Sequence, residues 1–123
     1  MRQALFIASL LLPALTARAE VVDVHWSGAG RFVHKATIAP GKSVDLCGRL
    51  PAGLKVSWDF AAGAPLDFNL HYHAGKDVVF PSKLNAVTKA SDILQTRIEQ
   101  DYCWMWTNKA GKPATLSVTL QRS

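Results

Sequence analysis

The chain has 123 residues, 49% of them hydrophobic, with fourteen Lys or Arg against nine Asp or Glu. That length suits one small domain and not two. The basic residues stand singly with no run, which gives nucleic-acid binding little support, and no second apolar span follows the one at the start.

The chain opens "MRQALFIASLLLPALTARAE". Arg2 supplies a positive start, and an apolar run from Ala4 to Leu15 follows that is too short to span a bilayer comfortably. Ala17 and Ala19 then form an A-x-A cleavage site. Residues 1–19 therefore read as a secretory signal peptide, with Glu20 the first mature residue and a periplasmic or secreted product. No Cys follows the run and there is no twin-Arg pair, so neither lipid anchoring nor twin-Arg export is indicated. The signal removes two basic residues, Arg2 and Arg18, and no acidic one. Twelve against nine leaves the mature chain at +3 rather than +5.

Turn residues then break residues 20–123 about every ten positions: Gly28–Gly30, Pro40-Gly41, Pro51-Ala52-Gly53, Gly63-Ala64-Pro65, Ala74-Gly75 and Gly111-Lys112-Pro113. Between them, apolar residues alternate. Val22, Val24 and Trp26 share a face, as do Val56, Trp58 and Phe60. Leu66, Phe68, Leu70 and Tyr72 form another set, and Leu116, Val118 and Leu120 the last. Period two bounded by turns predicts half-buried strands, and many short strands predict a sandwich or barrel. One segment is ambiguous. Leu84, Val87, Ser91, Leu94 and Ile98 fit an amphipathic helix over 84–99, while Leu94, Thr96 and Ile98 fit a strand over 92–99.

Two cysteines, Cys47 and Cys103, suggest one disulfide in an exported domain. Closing a loop of roughly 57 residues would limit the unfolded chain by about 4 kcal/mol on the loop-entropy account. The rival reading is a pair of thiols on a metal. The segment "DYCWMWTN" (101–108) poses the same choice: a strand with Tyr102, Trp104 and Trp106 inward, or a soft-metal site of Met, Cys and indole.

"HYH" at 71–73 offers His71 and His73 on one strand face, roughly 7 Å apart at Cα and so able to share a metal. Met105 is the third candidate, because Cu(I) favours thioether and imidazole ligands. The plainer reading leaves Asp67, Asn69, His71 and His73 on a wet strand face. His25 and His34 are further candidate ligands that read more simply as strand residues. Catalysis finds little support. No G-x-S-x-G occurs, Gly28-x-Gly30 lacks a third glycine and a helix, and "GKS" at 41–43 lacks the upstream glycine of a phosphate loop. Asp59 and Asp67 are expected on separate strands, with no reason to pair.

Together "LKVSWDFAAGAPLDFNLHYHAGKDVVF" and "DYCWMWTNKAGKPATLSVTLQ" resemble the GOLD (Golgi dynamics) domain, the lumenal β-sandwich of Golgi–ER cargo receptors. The shared order, over residues 43–121, is a strand, a turn, an L-D-x-x-L strand, a glycine turn, a polar stretch, an aromatic strand ending in Asn, and a last strand. The resemblance implies a Cys47–Cys103 bridge, although Cys103 sits two residues earlier than the family pattern, where Met105 stands. It also favours a strand over 92–99. The receptors' coiled coil, membrane span and sorting tail have no counterpart before Ser123, so vesicle sorting is not implied.

The expectation is an all-β, antiparallel, jelly-roll-like sandwich of seven to eight strands with one disulfide, its core built on Trp58, Phe68, Tyr102, Trp104 and Trp106. The expected role is an exported, non-catalytic binding module for a protein or small ligand. The alternative is a periplasmic copper-binding protein using His71, His73 and Met105.

Overall fold

The computed structural model describes residues 19–123. The expected leader falls on residues outside that span, except Ala19, which is the first residue of β1. Seven strands follow: β1 (Ala19–Asp23), β2 (Arg31–Ile38), β3 (Ser43–Leu50), β4 (Lys55–Ala74), β5 (Asp77–Gln95), β6 (Gln100–Thr107) and β7 (Ala114–Arg122). They form one curled sheet in the order β1-β3-β6-β4-β7-β2, with β5 paired to β4.

The curl is made by β4, which is twenty residues long. Val56–Ala62 pair with β7, and Asp67–His71 pair with β6. Between them Gly63-Ala64-Pro65 turns a corner, so one strand serves both leaves of a sandwich. The expected chain break there is a bend within a strand, and Asp59 and Asp67 lie on the same strand, not on two. A Cβ at Gly63 would meet Thr115 Oγ1 at 2.5 Å, so any other residue at the bend makes the Thr115 hydroxyl shift where β7 passes. Pro65 sits in the register jump between Ala61 and Leu66, where a missing N–H costs no ladder bond.

β5 follows β4 around the corner, starting just after the Gly75-Lys76 turn. The ambiguous segment is therefore neither a helix over 84–99 nor a strand over 92–99. Its strand begins at Asp77 and ends at Gln95, with Ala86 in the left-handed region (φ 51°) at the corner. Leu94 and Thr96 are buried as the alternation requires, but Ile98 is exposed.

The antiparallel expectation fails at one pair: β1 runs parallel to β3. The chain leaves β1, crosses to the far edge as β2, and returns to β3 in its original direction. A parallel pair needs such a crossover, here made by a strand in the other leaf.

The core lies between the leaves. Trp58, from the first half of β4, meets Phe68, from the second, at 4.8 Å between ring centroids, and Phe68 meets Trp106 at 5.3 Å. Phe60 stands edge-on to Trp106 at 5.5 Å. Tyr102, Trp104 and Trp106 are almost fully buried, and Tyr72 packs half-buried against Tyr102. Each such ring contributes about 1.5–3 kcal/mol from burial alone.

Candidate functional site

Because Tyr102, Trp104 and Trp106 point inward, Cys103 and Met105 point outward from β6. Register places Cys47 and His71 on either side of Cys103, and Asp45 and Asn69 on either side of Met105. Cys47 and Cys103 are bonded, and join directly opposed residues of β3 and β6.

The two histidines and Met105 thus share one outer face. His71 Nδ1 lies 2.6 Å from Asn69 Oδ1, which can only accept, so Nδ1 carries the proton and Nε2 keeps its lone pair. The His73 ring stands nearly perpendicular, with its centroid 5.5 Å away. Phe80 approaches His71 at 6.1 Å and carries Lys83 over its own ring at 5.1 Å. Burial, then the charge of His73, pulls the His71 pKa below the usual imidazole value. On the other side of Met105, burial pushes the Asp45 carboxyl up, and its Oδ1 finds no partner among the described residues. The two imidazoles lie side by side on this face, and Met105 stands beside Asn69, two residues along β6 from the Cys103 that pairs with His71. Among the described residues no group of three or more His, Cys, Asp or Glu is gathered to hold a metal. His25 and His34 lie elsewhere: His25 is exposed just after β1, and His34 stacks on Phe32 in β2.

A second region emerges at the corner end of the sandwich, where β2 and β6 stop and β3 and β7 start. Two loops meet there, 39–42 and 108–113. Asn108 N–H donates to Lys42 O, and Gly41 N–H donates to Asn108 O. The buried Asn108 side chain donates from Nδ2 to Ile38 O and to Lys112 O, and its Oδ1 accepts from Ala110 N–H. One residue therefore fastens both loops, and both carry lysines: Lys42, Lys109 and Lys112. Lys109 Nζ pairs with Asp67 at 2.8 Å, which together with the Ala86 N–H holds that carboxyl below its usual pKa. A shallow depression of about 280 Å³ lies beside the loops, lined by Glu20, Thr37, Ile38, Ala39, Lys42 and Val44 among others.

Sequence reading missed this region because its lysines stand singly in the chain. The available signal was two turns of similar make-up, "PGK" and "NKAGKP", each ending a strand.

The shape is that of a small disulfide-linked β-sandwich. No protein-family profile matches the chain, and no curated protein matches it in sequence. Solved structures share its fold. Aeromonas hydrophila PliG, a periplasmic inhibitor of g-type lysozyme, superposes with a TM-score of 0.67 at 13% identity, over 86% of this chain and 98% of its own. The Salmonella Typhimurium PliG, with the same described role, gives 0.61 at 16% identity over 85% and 98%. The pre-peptidase C-terminal domain of Bacillus anthracis collagenase gives 0.55 at 10% identity over 88% and 97%.

Proposed function

We propose that this chain is an exported, non-catalytic binding module whose partner is a protein, and that the partner is a lysozyme of the g type. The observation that carries the reading is the extent of the shared fold: the superposition takes in 86% of this chain and 98% of the Aeromonas PliG chain. The apparent leader at 1–19 and the Cys47–Cys103 bridge agree with an oxidising compartment outside the cytoplasm. The GOLD resemblance is kept as part of this proposal, and the Cys47–Cys103 bridge agrees with it. In the test, the mature protein is titrated into a g-type lysozyme lysing a peptidoglycan suspension. Stoichiometric inhibition is expected. Undiminished lysis, with no heat of binding at about 10 µM, sinks the lysozyme assignment.

A second reading is copper binding by His71, His73 and Met105, favoured by their common face and by the free Nε2 of His71. Cu(I) titration of the metal-free protein should saturate at one ion and fail in a His71→Ala/His73→Ala variant. No uptake in the micromolar range removes it.

A further inference from the structure

The charge of this domain is not spread evenly. Divide the sandwich across the strands at the level of the Asn69–Met105 and Ala61–Lys89 pairs. The corner half, with the loops 39–42 and 108–113, holds Lys35, Lys42, Lys83, Lys89, Lys109 and Lys112 against Glu20, Asp45 and Asp67. The hairpin half holds Arg31, Arg49, Lys55, Lys76, Arg97 and Arg122 against Asp23, Asp59, Asp77, Asp92, Glu99 and Asp101. Lys35, Lys83, Lys89 and Asp45 stand on the dividing level itself; beyond it, the loops 39–42 and 108–113 carry three lysines and no acidic residue. In the other half, Arg49 bridges both Glu99 and Asp101, so its charges are locally cancelled.

We infer that the corner end, through the lysines of the loops 39–42 and 108–113, is the docking surface, and that its occupant is the carboxylate-bearing cleft of a glycan-cleaving enzyme. The inference rests on the protein-partner reading above and names the surface that serves it. Two observations carry it. The first is complementarity: glycoside hydrolases flank the scissile bond with a pair of Asp or Glu side chains, which makes their substrate cleft a site for cationic side chains. The second is rigidity. Asn108 holds both loops through five hydrogen bonds, so Lys42 and Lys112 are presented with little backbone freedom left to lose on binding. Lys109 is engaged by Asp67, which leaves Lys42 and Lys112 as the cations that reach the partner.

The test compares four forms of the mature protein against a g-type lysozyme by calorimetry and by inhibition of lysis: wild type, Lys42→Glu/Lys112→Glu, the milder Lys42→Gln/Lys112→Gln, and Lys76→Glu/Val78→Ser at the opposite end. Thermal melts establish that each is folded, and the Gln pair keeps the test open should the Glu pair misfold. Both loop variants should lose about tenfold or more in affinity, with the loss shrinking as salt is raised, while the hairpin variant binds as wild type. If the hairpin variant loses binding and the loop variants keep it, the lysozyme reading stands and the corner surface is wrong. If the wild type binds no lysozyme, both fall. Co-sedimentation of the wild type with peptidoglycan alone, abolished in the loop variants, would instead assign the surface to an anionic glycan and overturn the enzyme-cleft occupant.

Discussion

The two ends of the sandwich are built by opposite means. At the corner end a continuous β4–β5 pair bends over, and a single buried amide, Asn108, fastens the neighbouring loops by hydrogen bonds. At the hairpin end the strands simply stop. There Val78, Val79 and Phe80 are exposed on an edge strand, and the ties are spread over several side chains: Thr96 Oγ1 accepts from Leu54 N–H and donates to Pro51 O, Tyr102 Oη donates to Ile98 O, and Gln121 Nε2 donates to Ala29 O. The disulfide lies nearer this second end. One end is thus fixed by polar bonds and carries excess charge, while the other is charge-balanced, apolar at its tip and covalently stapled. One side chain that satisfies several backbone groups at once can hold two loops together over a packed core.

The largest way to break this contrast is at the staple. Cys47→Ala/Cys103→Ala should lower unfolding stability by about 4 kcal/mol on the loop-entropy account, read from urea midpoints. A loss under about 1 kcal/mol would mean that the β3–β6 ladder already restrains the unfolded chain.

Next comes a matched pair of deletions, one at each end. Asn108→Ala strips bonds from the buried Ile38 carbonyl, the Lys112 carbonyl and the Ala110 N–H, and should cost about 3 kcal/mol. Thr96→Val keeps the shape, leaves Leu54 N–H unsatisfied, and should cost about 1–2 kcal/mol. Equal effects would remove the claimed difference between the ends.

The smallest effect concerns pH. The His71 pKa is lowered on folding, so the folded state resists its protonation. Stability is full above the ordinary histidine value of about 6.5 and is lost as pH falls through the lowered folded value. His71→Phe should flatten the urea midpoint against pH in that window. Parallel declines in variant and wild type would show that His71 protonates freely.

Much of the fold was legible in the sequence. Alternation in 56–60, 66–72, 102–106 and 116–120 identifies inward faces because one side of each strand is dry. It fails for β5, whose early residues are exposed on both faces of an edge strand, so no period is imposed on them. It fails again at Gly63-Ala64-Pro65, since a corner inside a strand and a loop between strands call for the same residue types. The outer face of His71, His73 and Met105 follows from period two alone. The lysine end does not, because its residues come together only through the pairing of β2 with β7 and of β3 with β6.

The corner in β4 has a consequence for how the molecule opens. Both leaves contain the same strand, so neither can detach while the other stays intact. Amide protons on the two arms of β4, such as those of Trp58 and Leu70, should therefore exchange with solvent at similar free energies, through one shared opening of the whole domain.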